Sequence, residues 1–216
     1  MEVQRHGFIW EKELLRIYGA TPEELAGISY TSKMDLPAEF NRLDHVDVSI
    51  KTTCNASSVC MADCLRMFDA VQGALHLTVV HYKQDQDVKK VVSITEVDLT
   101  DSRSLLFGTL TREQLQELDR VVKSVPQKRK PTPEEHTAMY TLRDELQKIS
   151  GAIHLDIKCN STQSRLQCSF QRFQQLDRII YQSHTNEFRG GFISAELPSR
   201  RRVFKREPTK DWGVVN

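Results

Sequence analysis

The sequence predicts an α/β (α+β) protein whose core is a mixed β-sheet flanked by helices. Residues 46–53 begin with a strict alternation of apolar and polar side chains (VDVSIK), which is typical of a half-buried strand. Residues 75–82 (LHLTVVHY) and 91–99 (VVSITEVDL) are rich in β-branched residues and predict two neighbouring strands. Helical segments lie before, between and after these strands, and this order indicates a mixed class.

Three helices and a further strand are predicted in the first half. Apolar side chains recur at helical spacing over residues 7–18, and those of 59–71 do the same. Thr21, followed by Pro22 and a Glu three residues after the threonine, predicts the capped start of a short second helix. Residues 28–33 are predicted to form a strand.

The second half is predicted to be more helical. Thr111 and Thr132 each begin a capped helix, and prolines between them separate the two. Gly151 is predicted to end the second of these helices. A hairpin and a last helix follow, at residues 152–158, 165–170 and 171–181.

Composition excludes several classes. The 216 residues are 39% hydrophobic with a net charge of +1, which predicts one large domain or one core with an insertion. There is neither a long apolar run nor an apolar leader, so we expect an intracellular, cytoplasmic protein without a membrane span. The five cysteines are an odd number and are interpreted as reduced thiols rather than zinc ligands. There is no glycine-rich phosphate loop, so no organic cofactor is predicted.

Two stretches are strongly basic. Residues 123–130 (KSVPQKRK) carry four basic side chains and no acid, and residues 199–210 (SRRRVFKREPTK) carry six against one Glu. Such runs are often a solvated loop and tail. They are also what a protein uses to contact nucleic-acid phosphates, because Lys and Arg release counterions from the backbone.

Acidic residues precede Lys51 on the alternating strand. Lys51 could lie on the solvent face of an edge strand and protect it from aggregation. It could also belong to a site for a hard cation, since Mg²⁺ binds carboxylates together with substrate phosphate. The acids between residues 34 and 51 are Asp35, Glu39, Asp44 and Asp47.

The pattern Asp35…Ser49-Ile50-Lys51 resembles the PD-(D/E)XK nucleases, and most specifically the small type II restriction endonucleases. The first helix, the sixteen-position step from Asp35 to Lys51 and the segment 59–66 that follows are similar to the catalytic strand and helices of that family. The resemblance implies a restriction-endonuclease-like catalytic core over residues 1–105. It also implies a helical and hairpin region for DNA recognition and dimerisation over 106–216, packed on the core as one compact unit.

The same resemblance implies roles for individual residues. Asp35 would hold Mg²⁺ against the scissile phosphate, and Lys51 would orient or deprotonate the attacking water. Ser49 stands where the family has Asp or Glu, and a hydroxyl is a weaker Mg²⁺ ligand. The metal shell would therefore be completed by the Ile50 carbonyl, by Glu11 or Glu13 on the first helix, or by Asp44 or Asp47.

A literal D-x-K sequence on a predicted strand, Asp156-Ile157-Lys158, is a rival to the Ser49-Ile50-Lys51 pattern. The acid that it needs upstream falls inside a capped helix, at Asp144 or Glu145, so the first site is preferred. The polar run after it is interpreted as a base-reading loop, since Asn and Gln can contact adenine and Arg can contact guanine. The predicted base contacts are Asn160, Gln163, Arg165 and Gln167, and the predicted phosphate contacts are Lys128, Arg129, Lys130 and Arg201.

These residues predict a Mg²⁺-dependent, sequence-specific endonuclease of double-stranded DNA that acts as a homodimer. A non-catalytic DNA-binding module on the same fold is one alternative, and a structure-specific repair nuclease is another. Glu96 and Asp98 are interpreted either as an outer metal shell or as ordinary polar positions of a sheet. The histidines are interpreted as structural, namely His45, His76, His81 and His154.

Overall fold

The computed structural model of the chain describes residues 5–28, 34–54, 57–85, 88–171, 194–196 and 202–204. The described chain is a mixed α+β protein with two small β-sheets and several helices, as predicted. None of the described helices has the length and apolar character needed to cross a membrane. In chain order the elements are α1 (Arg5–Ile17), α2 (Pro22–Gly27), a 3-10 turn (Ala38–Phe40), β1 (Asp47–Cys54), β2 (Val59–Asp63), α3 (Cys64–Ala70), β3 (Leu75–Asp85), β4 (Val88–Asp98), α4 (Arg103–Phe107), α5 (Arg112–Lys123), α6 (Pro133–Gln147), β5 (His154–Cys159), β6 (Ser164–Phe170), β7 (Ser194–Glu196) and β8 (Arg202–Phe204).

The chain folds as two compact units, and the first holds the larger sheet. Its described residues lie within 5–59, 74–100 and strands β7 and β8. The strand order is β1-β3-β4-β8-β7, with β1 parallel to β3 and the other pairs antiparallel. Leu36 forms an antiparallel bridge to Val48 along the outer edge of β1. The predicted strands at 46–53, 75–82 and 91–99 are therefore confirmed.

Helix α1 supplies the apolar layer against this sheet. Trp10, Leu14 and Tyr18 are buried in one cluster with Val48 and Ile50 of β1. Burying a large side chain contributes about 2 kcal/mol, so this face anchors the helix. The predicted helix at 7–18 and the capping box at Thr21 are confirmed.

The second unit contains residues 60–73 and 101–171, with a smaller sheet of strand order β2-β6-β5. The capping boxes predicted for α5 and α6 are present: the Thr111 and Thr132 hydroxyls accept hydrogen bonds from the N–H groups three residues later. The rings of Phe68 and Phe107 meet edge to face, with centroids 5.0 Å apart. The predicted hairpin is confirmed as β5 and β6.

The predicted helix over 59–71 is wrong in its first half, which is strand β2. Val59 and Met61 are buried while Cys60 between them is exposed, so burial there alternates with the period of a strand. The helix begins after Asp63, whose side chain accepts a hydrogen bond from the Arg66 N–H. In a segment of only five residues, apolar side chains at alternate positions are compatible with the period of a helix as well as with that of a strand.

Helix α6 ends at Gln147 and not at the predicted Gly151. Gly151 instead permits a close backbone approach, since a Cβ there would lie 2.2 Å from the carbonyl oxygen of Leu105. Gly108 has φ +59°, and a Cβ on it would lie 2.3 Å from the carbonyl oxygen of Ile149. The two glycines let these two backbone segments lie directly against each other.

Two predicted elements fall outside the described residues. These are the strand at 28–33, beyond Ile28, and the last helix at 171–181, beyond Gln171. Arg201 also lies outside them. Of the basic stretch 199–210, only the residues of β8 are described, and they pair with β4 and β7.

Candidate functional site

One carboxylate oxygen of Asp35 is hydrogen-bonded to the predicted catalytic residues of the first unit. Its Oδ2 accepts hydrogen bonds from the Ser49 hydroxyl at 3.1 Å, the Ile50 N–H at 2.6 Å and the Lys51 ammonium at 3.0 Å. The bridge formed by Leu36 is the reason, because it holds the preceding residue beside the outer edge of β1. Among the described residues, Oδ1 of Asp35 accepts no hydrogen bond and stays open to a ligand.

Lys51 is held at this edge rather than extended into water. Its side chain is only 18% exposed. Besides Asp35, its ammonium donates to the carbonyl oxygen of the neighbouring Ile50 at 3.0 Å. Two acceptors therefore fix a positive charge at a defined position beside a carboxylate, and such a charge can act on a bound anion.

Glu11 of α1 acts electrostatically on the same pair. Burial and the negative charge of Asp35 together raise the pKa of Glu11 to about 7, although Lys51 acts to lower it. A carboxyl group that is desolvated beside a second carboxylate favours its protonated form. Positive charge bound near the two acids would favour the ionised form of Glu11.

Asp47, another predicted metal ligand, has a different role. Its Oδ1 accepts a hydrogen bond of 2.8 Å from the N–H of Ala38, at the start of the 3-10 turn. That bond stabilises the connection between Asp35 and β1. Asp47 thus stabilises the segment that follows Asp35, and it is not one of the residues that hydrogen-bond to Asp35.

Asp44 lies in a second group of ligands in the first unit. Ligand atoms of Asp44, His76 and Glu96 all lie within 4.8 Å of one another, and the three residues could hold a metal ion. His76 Nδ1 is 3.1 Å from Asp44 Oδ2 and 3.7 Å from Glu96 Oε1. From the sequence, Asp44 and Glu96 were predicted only as possible parts of the Asp35 metal shell, and His76 was interpreted as structural. The one sequence signal of this group is that His76, Glu96 and Asp98 occupy polar positions of two adjacent strands.

The predicted base-reading loop forms the turn of the hairpin in the second unit. Oδ1 of Asn160 accepts hydrogen bonds from the N–H groups of Thr162 and Gln163, which stabilises the turn. Arg165 is exposed. Gln167 is buried and lies against the thiol of Cys60, so its side chain presents no surface to a base edge.

The basic loop of the second unit lies against this turn. The N–H of Lys128 donates to the carbonyl oxygen of Ser161 at 2.9 Å. Lys128 and Lys130 are exposed, whereas the guanidinium of Arg129 forms a two-pronged hydrogen bond with Glu135. Predicted phosphate contacts and predicted base contacts therefore meet on one surface, here called the basic surface: Lys128, Arg129, Lys130, Asn160, Gln163 and Arg165.

The rival D-x-K sequence does not acquire the acid that it needs. Asp156 lies 3.1 Å from Nδ1 of His154, and Lys158 is exposed. The upstream acid Asp144 forms an ion pair with Arg143 instead. Within the described residues, no second carboxylate joins Asp156 and Lys158.

No model of a known protein family, no curated protein and no solved structure matches this chain. The chemistry of the site therefore follows from its own residues and contacts.

Proposed function

We propose that the chain is a metal-dependent, sequence-specific endonuclease of double-stranded DNA, with its chemistry at Asp35 and Lys51. The observation that carries the proposal is the 3.0 Å contact between the Lys51 ammonium and Asp35, beside a Glu11 whose pKa is raised to about 7 by burial and by Asp35. Metal-dependent hydrolysis of a phosphodiester uses a carboxylate-held cation, and a fixed positive charge beside the phosphate assists it. These residues bring both requirements together.

The donor set fits a hard cation. Asp35 has an oxygen free of hydrogen bonds among the described residues, Glu11 is a second carboxyl group, and the Ile50 carbonyl is a third oxygen. Mg²⁺ prefers such oxygen ligands and, when bound, offsets phosphate charge and lowers the pKa of water. The Ser49 hydroxyl donates to Asp35, so it orients that carboxylate instead of replacing the missing acid.

Lys51 contributes a fixed charge in the reaction that we propose. Its two acceptors hold the ammonium in place, so little reorganisation is needed when negative charge develops on the phosphate. In this role the ammonium would also donate a hydrogen bond to the attacking water. Removing a charge-stabilising donor of this kind commonly lowers the rate by about a hundredfold or more.

The basic surface of the second unit supports DNA as the substrate. Lys128 and Lys130 are exposed cations for phosphate contacts, and Gln163 and Arg165 offer amide and guanidinium groups to base edges. Because Lys128 is hydrogen-bonded to Ser161 of the hairpin turn, the two kinds of contact are linked. A homodimer that cuts both strands of a palindrome is part of the proposal, because protein two-fold symmetry mirrors that of such a site.

The test compares two lysines that each end a D-x-K-like sequence. We expect Lys51→Ala to lower Mg²⁺-dependent cleavage of supercoiled plasmid at least a hundredfold, while Lys158→Ala leaves it within about twofold of the wild-type rate. DNA binding by both variants, measured by gel shift in Ca²⁺, should persist. Undiminished cleavage by Lys51→Ala would overturn the assignment.

The second candidate is a DNA-binding module without catalysis, and Ser49 in place of an acid favours it. Such a module would bind duplex DNA through the basic surface and leave it intact in Mg²⁺ and in Mn²⁺. Restoring the acid with Ser49→Asp separates the two. If the wild type binds without cutting and Ser49→Asp gains cleavage, the site is a decayed nuclease.

A further inference from the structure

The residues Asp44, His76 and Glu96 come from three separate parts of the first unit. Asp44 lies in the turn before β1, His76 on β3 and Glu96 on β4, with Thr78 two residues after His76 as the direct strand partner of Glu96. His76 and Glu96 are buried, whereas the side chain of Asp44 is 34% exposed. One imidazole nitrogen and two carboxylate oxygens therefore converge at a position that solvent reaches from one side.

We propose that Asp44, His76 and Glu96 bind a divalent transition ion of the Zn²⁺ class. This site is distinct from the Asp35 site in both residues and donor type. An imidazole nitrogen with two carboxylates suits Zn²⁺, which accepts mixed nitrogen and oxygen ligands, better than Mg²⁺, which prefers oxygen alone. The exposed side of Asp44 would leave room for water as a fourth ligand.

Both carboxylates have one oxygen engaged by a neighbour and one directed at the histidine. The Asn41 amide donates to Asp44 Oδ1 at 2.5 Å, which leaves Oδ2 toward His76. The Tyr18 hydroxyl donates to Glu96 Oε2 and also contacts Thr78 at 2.5 Å, which leaves Oε1 toward His76. Outer groups that orient ligands in this way are a regular part of protein metal sites.

The imidazole of His76 also has an outer carboxylate neighbour. Its Nε2 lies 3.9 Å from Asp98, a carboxylate that can accept the Nε2–H when Nδ1 binds an ion. Nδ1 is buried and forms no hydrogen bond among the described residues. Oδ2 of Asp44 lies 3.1 Å and Oε1 of Glu96 lies 3.7 Å from this nitrogen, so an ion bound there would contact all three ligand atoms. Coordination would give the buried nitrogen the partner that it lacks.

The charge balance favours a cation as well. Three carboxylates, those of Asp44, Glu96 and Asp98, surround a single imidazole. Their oxygens lie 3.1, 3.7 and 3.9 Å from the ring nitrogens of His76. A divalent ion would supply the missing positive charge.

The experiment is calorimetric titration of the chelator-treated full chain with Zn²⁺ and, separately, with Mg²⁺. We expect one Zn²⁺ per chain, no Mg²⁺ at this site, and at least a tenfold loss of Zn²⁺ affinity in His76→Gln. His136→Gln is the matched control, because that histidine is exposed and stacks on Tyr140. Equal Zn²⁺ affinity in His76→Gln and in the wild type would overturn the proposal.

A Co²⁺ spectrum and further variants test the identity of the ligands. The Co²⁺ complex should lack the intense charge-transfer absorption of thiolate ligands, and its presence would assign the ion to cysteines instead. If His76→Gln does not fold, Asp44→Asn replaces it, since Asp44 is partly exposed. Tyr18→Phe, which removes the group that orients Glu96, should weaken Zn²⁺ binding about tenfold. Lys51→Ala should leave Zn²⁺ binding unchanged, so failure of the nuclease proposal does not affect this result.

Discussion

The ammonium of Lys51 lies 3.0 Å from Oδ2 of Asp35, although the two residues are sixteen positions apart in the chain. The same oxygen accepts the N–H of Ile50, so Asp35 is tied to the edge of β1 by backbone as well as by side chain. A carboxylate fixed in this way changes position little when a cation or a phosphate arrives. Low reorganisation of this kind is what a site that stabilises developing charge requires.

Mg²⁺ binding should depend on pH through Glu11. Burial and the charge of Asp35 together raise the pKa of Glu11 to about 7, so the ligand form is scarce at pH 6 and abundant at pH 8. We expect Mg²⁺ affinity, measured calorimetrically, to rise about tenfold between those pH values. In Glu11→Gln the affinity should be lower and nearly independent of pH. A wild-type affinity that stays constant across this range would contradict the role given to Glu11.

DNA affinity should depend on salt through the two exposed lysines of the basic surface. We expect Lys128→Ala with Lys130→Ala to reduce the slope of log affinity against log salt by nearly 2, at about 0.9 for each lost phosphate contact. Arg129→Ala should change the slope less, because Arg129 is engaged by Glu135. Arg112→Ala is the control, since that exposed arginine pairs with Asp69 elsewhere in the second unit. An unchanged slope in the double variant would remove the basic surface from the DNA interface.

The metal-free protein should lose stability as the pH rises from 5 to 6.5. Burial raises the pKa of Glu96 to about 7, above its value of 4.5 in the unfolded chain, so the folded state retains a proton that the unfolded state releases. The free energy of unfolding should fall by about 2 kcal/mol across this range for Glu96, and Glu11 should add a decrease of the same sign. Urea titrations in chelator should show a smaller decrease in Glu96→Gln and a smaller one still when Glu11→Gln is added. A stability that increases over the same range would contradict the burial of both acids.

Gly108 should be irreplaceable in the second unit. Its positive φ and the carbonyl oxygen of Ile149, 2.3 Å from the place of a Cβ, predict that Gly108→Ala lowers the free energy of unfolding by about 3 kcal/mol. Gly27→Ala is the matched control, because a Cβ there meets nothing within 4 Å. Urea denaturation measures both. Equal stabilities would show that the backbone at residues 105–108 can move aside at little cost.

Local signals were reliable predictors of the fold. The capping boxes at Thr21, Thr111 and Thr132 depend on residues three positions apart, and all three are present. The segment 59–63 was mispredicted because Met61 fits both a helical and an alternating pattern. Only the pairing of β2 with β6, about a hundred residues later, decides between them.

The two candidate sites also differ in how far the local sequence could predict them. Asp35 and Lys51 could be predicted together, because their spacing and strand pattern are local features. His76 was interpreted as a structural histidine, since nothing near it in sequence indicates Asp44 or Glu96. Their proximity depends on the pairing of β3 with β4 and on the turn that Asn41 stabilises, and neither is encoded in a short motif.

The discontinuous course of the chain has a consequence for synthesis. Strands β1, β3 and β4 have all been synthesised once residue 98 is made, and they can pair as soon as they emerge from the ribosome. Strand β2 is made before β3, yet its only partner in the described sheet is β6, which ends at residue 170. During that interval β2 is an exposed strand edge, and such edges promote association with other chains. Nascent chains that stall between these points should therefore be the form of this protein that depends most on chaperones.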